Sequence, residues 1–255
     1  MYAPVNGLTM YYEIHGQGDP LVLLHGALSG IETSFGRVLS TLARNHRIIA
    51  IERQAHGRTA DIDRPLTYEQ MADDTAALLR YLDIQSADVL GYSVGAGVAL
   101  QLAITHPSLV RKLAMVSPAY NMDAFQPGVI DGIADLRPEH LAGTIYEREY
   151  AQIAPRPQDW PAFVEKTKEM DQGFVGWEPE TLSSVPAPAL VMLADSDIVR
   201  PEHAVEMFRL FGGGGGDDEA GLPQSRLAIL PGTTHLSIMD RASWLVPMVE
   251  EFLAA

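Results

Sequence analysis

Short unbroken apolar runs, set apart by stretches of mixed polarity, recur along the whole chain. Leu21-Val22-Leu23-Leu24, Ile48-Ile49-Ala50-Ile51, Leu113-Ala114-Met115-Val116, Ala189 to Leu193 and Leu227-Ala228-Ile229-Leu230 are the clearest. Strands buried on both faces show no polar alternation, so these runs predict a parallel sheet covered by helices. Leu8 to Ile14 does alternate and ends at Gly16-Gln17-Gly18-Asp19-Pro20, which predicts an edge strand and a turn. Helices are expected over Ile31 to Arg44, from Thr67 with Glu69 and Gln70 in its first turn, over Gly97 to His106, over Glu202 to Leu210 and over Trp244 to Leu253. Strand and helix alternating from end to end predict an α/β fold, an open, mostly parallel sheet with helices on both faces.

The rhythm breaks between Tyr120 and Val185. Helical pieces (Glu139 to Ile153, Pro161 to Met170, Pro179 to Leu182) and prolines replace strands there. The expectation is a core made of 1–119 and 186–255, with 120–185 inserted as a helical cap. Its Tyr120, Phe125, Trp160, Phe174 and Trp177 serve equally well as core or as pocket wall. Gly212 to Gly216 with Asp217, Asp218 and Glu219 lacks the Gly-Lys-Ser/Thr of a phosphate cradle and reads as a flexible surface loop.

Chemistry concentrates at Val89-Leu90-Gly91-Tyr92-Ser93-Val94-Gly95-Ala96-Gly97, a strand running through a sharp turn into a helix. Gly91 and Gly95 form a nucleophile elbow, because a Cβ at either would meet a neighbouring element. Ser93 stands at the apex, and the Val94 amide opens a helix whose N-terminus favours an anion. A serine hydroxyl needs a base, and the base an orienting acid. In open parallel sheets such groups gather at the carboxyl ends of strands. His235, just beyond the last strand, is the candidate base. His25 and His56 follow strands too, but His25-Gly26 reads as shaping its loop, and the other histidines sit in turns, helix ends or the insertion. Asp197, in the loop after the Ala189 to Leu193 strand, is favoured as the acid over Asp195, which reads as a brace for its own turn. An oxyanion hole would use the Val94 amide and that of Ala27, with Leu28 next in line.

Taken in order, His25-Gly26, Ala55-His56-Gly57-Arg58, Gly91-Tyr92-Ser93-Val94-Gly95, Asp195-Ser196-Asp197 with Pro201, and Pro231-Gly232-Thr233-Thr234-His235 resemble the α/β-hydrolase fold superfamily over almost the whole chain. The resemblance implies a Ser93, Asp197, His235 triad, no cofactor and no metal, and a cap lining the substrate pocket. Glu52, Ala55 and Ala194 stand where the family often has aspartate, glycine and glycine, a difference that touches turn geometry.

The remaining sequence features narrow the field. A formal charge of −15 opposes nucleic-acid binding. No apolar run is long enough to span a membrane, no secretory leader pattern opens the chain, and there is no cysteine, all of which fit a cytoplasmic location. No His-Glu-x-x-His cluster marks a metallohydrolase. The expected function is hydrolysis of carboxylic esters of small to medium, largely neutral molecules through an acyl-enzyme. Lactone opening, C–C hydrolysis and cofactor-free perhydrolysis share the triad, and a non-enzymatic ligand binder is the reading from another class. The partner is a small-molecule ester or lactone, and a homo-oligomer is left open.

Overall fold

In the computed structural model, which describes residues 1–216 and 221–255, the apolar runs become strands of a single eight-stranded sheet. In chain order these are β1 (Tyr2–Val5), β2 (Leu8–His15), β3 (Asp19–Leu24), β4 (His46–Glu52), β5 (Ala87–Tyr92), β6 (Val110–Val116), β7 (Ala189–Ser196) and β8 (Arg226–Thr234). Side by side they run β1-β2-β4-β3-β5-β6-β7-β8. The β1–β2 and β2–β4 pairs are antiparallel, and every pair from β4–β3 to β7–β8 is parallel.

Parallel neighbours need crossovers, and helices supply them. The core helices are α1 (Ile31–Phe35), α2 (Leu39–Leu42), α3 (Tyr68–Tyr81) and α4 (Val94–Thr105). Between β6 and β7 come α5 (Val129–Ala134), α6 (Ile145–Ile153), α7 (Trp160–Gln172) and α8 (Pro179–Ser183), and α9 (Pro201–Leu210) and α10 (Ala242–Ala254) complete the set. Alternate side chains of one strand enter opposite cores. Val22, Leu24, Ile49, Ile51, Val89 and Met115 pack with α3, α4 and α9, whereas Leu21, Leu23, Ile48, Ala50, Leu90 and Val116 pack with α1, α2 and α10. Two covered faces are why these strands carry no polar alternation.

Three expectations need correction. Leu8–His15 is not the edge strand, because β1 pairs outside it through a tight turn at Asn6-Gly7, both with positive φ (47° and 86°). Asn-Gly is the pair that such hairpin turns select. The Ile31 to Arg44 helix is two short helices, broken after Phe35 where Gly36 closes α1. Likewise Glu139 to Ile153 divides into a 3₁₀ turn at Pro138–Leu141 and α6. Gly143 there takes φ +71°, and the Thr144 hydroxyl accepts from the Glu147 amide to start the new helix. The Thr67 start holds, its hydroxyl accepting from the Gln70 amide at 3.1 Å. Asp217, Asp218 and Glu219 of the glycine-rich segment lie outside the described residues.

Helices α6 and α7 are joined by packed aromatics, Tyr150, Trp160 and Phe163, with ring centroids 5.3 to 5.9 Å apart. Phe163 also meets the His56 ring at 4.6 Å, which seats this segment on the sheet's carboxyl-end loops. Among the described residues no helix is long and apolar enough to cross a membrane.

Candidate active site

Strand β5 delivers Ser93 to a turn that only its neighbours make tolerable. Ser93 sits at φ 54°, ψ −123°, a sparsely populated region that costs about 1–3 kcal/mol. A Cβ on Gly91 would lie 2.3 Å from the Gly95 carbonyl oxygen, and one on Gly95 only 2.0 Å from that of Leu24. Neither position admits a side chain, so β5, α4 and β3 close tightly and push Ser93 out at the sheet's carboxyl edge. The Ser93 amide is held by the Val116 carbonyl at 2.9 Å.

His235 follows β8 directly. Its Nε2 lies 3.0 Å from Ser93 Oγ and its Nδ1 lies 2.7 Å from Asp197 Oδ1, across 142 and 38 residues of sequence. The Asp197 carboxylate also accepts from Ser117 Oγ (2.6 Å) and from the Val199 (3.2 Å) and Ala194 (3.3 Å) amides. Burial would raise this carboxyl, but the bond from and charge of His235, with the Ser117 and Val199 donors, hold it below the usual aspartate range. An ionised Asp197 fixes the tautomer: Nδ1–H donates to it, and Nε2 is free to accept from the serine. Asp195 is apart from this chain of bonds. It accepts from the Gly232 (2.9 Å) and Thr233 (3.1 Å) amides, so it braces the end of the neighbouring β8.

The Ala27 and Val94 amides belong to residues lining the same cavity as Ser93. As the first residue of α4, Val94 has an N–H with no acceptor inside its helix. Leu28 takes φ +56°, turning the chain sharply after Ala27. Behind that loop His25 is fully buried, its Nδ1 2.8 Å from the Gly26 carbonyl and 2.9 Å from the Arg53 guanidinium, its Nε2 accepting from the Arg53 amide (3.3 Å). His56 donates Nδ1–H to the Gln54 carbonyl at 2.8 Å. His203, in the first turn of α9, is buried, stacked on Tyr120 at 4.4 Å and accepting from its amide.

A cavity of about 640 Å³ opens over Ser93. From 120–185 it is lined by Phe125, Ile133, Leu141, Tyr146 and Phe174 among others, so two of the five aromatics singled out reach it. Tyr120 and Trp160 are core residues, and the Trp177 indole donates to Gln101 Oε1 at 2.6 Å.

Sequence reasoning passed over several supporting groups. Ser117, at φ +52°, ends β6 beside Asp197, and the strand-end rule could have singled it out. Tyr92 donates its hydroxyl to the His235 carbonyl at 2.9 Å. Glu149 on α6 accepts from the Gly30 (2.7 Å) and Thr33 (3.1 Å) amides, anchoring the segment that follows Ala27. Nothing in its local sequence marks that long-range contact.

A family model described as alpha/beta hydrolase fold matches residues 19–242, and the chain belongs to that family. A putative carbamate hydrolase, RutD, of Azorhizobium caulinodans is 32% identical over 125 residues, 49% of this chain. The match covers 46% of that relative, so this chain spans less than half its length. The 2-hydroxy-6-oxo-6-(2'-aminophenyl)hexa-2,4-dienoic acid hydrolase of Metapseudomonas resinovorans is 24% identical over 227 residues, covering 81% of this chain and 78% of its own. In structure, a meta-cleavage product hydrolase from Pseudomonas fluorescens superposes with a TM-score of 0.79 at 16% identity, over 100% of this chain and 97% of that one.

Proposed function

We propose that this α/β-hydrolase-family chain is a serine hydrolase that cleaves small to medium carboxylic esters through an acyl-enzyme. The observation that carries the reading is the unbroken series Ser93 Oγ, His235 and Asp197, joined at 3.0 and 2.7 Å, with Ser93 and His235 lining the cavity and Asp197 buried behind them. His235 Nε2 takes the Ser93 proton as Oγ attacks the ester carbonyl, while Asp197 steadies the imidazolium that forms. The Val94 and Ala27 amides hold the tetrahedral oxyanion, each donor contributing roughly 10²-fold or more in rate. Collapse expels the alcohol, which leaves with the proton from Nε2. A water activated by His235 then releases the acid and frees Ser93. The 120–185 segment acts as the cap that shapes the acyl and alcohol pocket.

Lactone opening needs nothing further and is the second reading. C–C hydrolysis of an acid such as the dienoic acid in one relative's name fits this cavity less well. A substrate carboxylate would want a free cation, and the lining's Lys168 is held by Glu165 at 2.5 Å. A series of p-nitrophenyl esters from acetate to octanoate, run beside γ- and δ-lactones, tests the proposal. Ester turnover with kcat/KM of roughly 10⁴ M⁻¹s⁻¹ or more is expected for the best chain length. Turnover of lactones with none of esters would overturn the ester assignment.

A further inference from the structure

The cavity over Ser93 is also lined by an acid that the proposed mechanism does not use. Asp171, near the end of α7, lines the cavity and is half-buried. Among the described residues its carboxylate accepts no hydrogen bond and meets no cation. The neighbouring polar groups are committed elsewhere. Lys168 pairs with Glu165 at 2.5 Å and reaches the Leu136 carbonyl at 3.4 Å, and the Thr167 hydroxyl donates to the Phe163 carbonyl at 2.9 Å.

Aromatic residues share this cavity lining with Asp171, and the Phe174 amide donates to the Asp171 carbonyl at 3.3 Å. Tyr68, whose phenol burial first and then the charge of Asp171 keep from ionising, and Phe174 both line the cavity, with ring centroids 4.9 Å apart. Trp177 backs them, 5.6 Å from Tyr68 and 5.2 Å from Phe174. Among the described residues the Tyr68 hydroxyl also lacks a protein partner. Tyr68 packs against α4 one turn from the elbow, since a Cβ on Gly97 would lie 2.5 Å from its ring. The cluster is therefore within one substrate's reach of Ser93.

A carboxylate beside aromatic rings is the chemistry that recognises an organic ammonium, by charge, hydrogen bonding and cation–π attraction together. We propose that Asp171, with Tyr68 and Phe174, forms a subsite for the protonated amine of the substrate, so that the preferred ester carries an ammonium group at the end remote from its carbonyl. This rests on the ester-hydrolase reading for its catalytic half only. Burial pushes the Asp171 carboxyl up to about 7, a penalty that a bound cation would offset. The chain's formal charge of −15 also favours cations over anions as ligands in general.

Two measurements test it. In the first, calorimetry compares hexylammonium chloride with hexan-1-ol on the wild-type protein, which turns over neither. Hexylammonium is expected to bind at least tenfold more tightly. Asp171→Asn, nearly isosteric, should remove that advantage, and Asp171→Glu should keep part of it. Equal binding of amine and alcohol, or an advantage that survives Asp171→Asn in protein with an unchanged melting profile, overturns the subsite. Should Asp171→Asn not fold, Tyr68→Phe takes its place, with a smaller loss of the advantage expected and no loss counting against the subsite. In the second, the kcat/KM ratio of p-nitrophenyl 6-aminohexanoate to p-nitrophenyl heptanoate should favour the amine by tenfold or more and fall towards one in Asp171→Asn. A ratio at or below one in the wild type overturns the substrate class. If hexylammonium binds through Asp171 while neither ester is hydrolysed, the subsite stands and the ester-hydrolase reading fails.

Discussion

Asp197→Asn discriminates the proposed acid from its neighbour in one comparison. In the folded protein Oδ1 receives His235 Nδ1 and the Val199 amide, and Oδ2 receives Ser117 Oγ and the Ala194 amide. Asparagine must set an NH₂ against one of these pairs. Placed at Oδ1 it forces His235 to carry its proton on Nε2, facing Ser93, where it can no longer act as base. Exchange of this kind in a Ser-His-Asp triad costs roughly 10⁴ in kcat through the wrong tautomer. Placed at Oδ2 it faces Ser117, which can rotate to accept, and the Ala194 amide, which loses its acceptor; the tautomer survives, and the charge opposite the imidazolium is lost. The expected fall in kcat/KM is therefore about 10²- to 10⁴-fold, or roughly 3–5 kcal/mol at 1.36 kcal/mol per decade. Asp195→Asn keeps an oxygen for only one of the Gly232 and Thr233 amides, which now reach separate oxygens, but it touches no reacting group, so its loss should stay under about tenfold. The assay is kcat/KM on p-nitrophenyl butyrate for both variants, with circular dichroism melts to check folding. If Asp195→Asn loses more than Asp197→Asn, or if Asp197→Asn stays within tenfold of wild type, the reasoning is wrong.

Two further outcomes are expected. Ser117→Ala removes a buried bond to a charged group, so urea unfolding should show a loss of about 1.5–3 kcal/mol and kcat should drop roughly tenfold, whereas an unchanged kcat would deny Ser117 a positioning role. Burial raises the Glu52 carboxyl from 4.5 to about 7 despite its bonds from Arg58, so the folded protein keeps a proton that the unfolded chain has already released. Its contribution is full below pH 4.5 and is lost as pH climbs through 7, by at most about 3 kcal/mol. Subtracting Glu52→Gln stabilities from wild type at pH 5 and pH 8 isolates that slope, and a difference that grows with pH would contradict it.

The parts of this molecule written in local sequence are those whose cause is local. Gly91 and Gly95 mark the elbow because backbone oxygens stand where their side chains would be. Leu21–Leu24 marks a central strand because both faces are covered. The strand β1 was obscure because Tyr2 and Pro4 face solvent, although Asn6-Gly7 already carried the hairpin signal. Ser117, Tyr92 and Glu149 act on groups 80, 143 and 119 residues away. Such partners depend on which strands lie side by side, and hydrophobic periodicity does not state strand order. The candidate acid was narrowed by position in its loop, yet the amides that occupy Asp195 belong to the end of another strand. Ala55, at φ +64° and buried, shows that an alanine can hold a left-handed position where glycine would be easier.

The central claim is that Ser93 is the nucleophile. Intact-protein mass spectrometry after treatment with a p-nitrophenyl alkylphosphonate reads it directly. One phosphonyl group should add to the wild-type protein, map to the peptide containing Ser93 and abolish ester turnover in step with labelling. Ser93→Ala should remain folded, take up no label and lose at least 10³-fold in kcat. A Ser93→Ala protein that is still labelled, or that hydrolyses esters at near wild-type rate, would contradict the account.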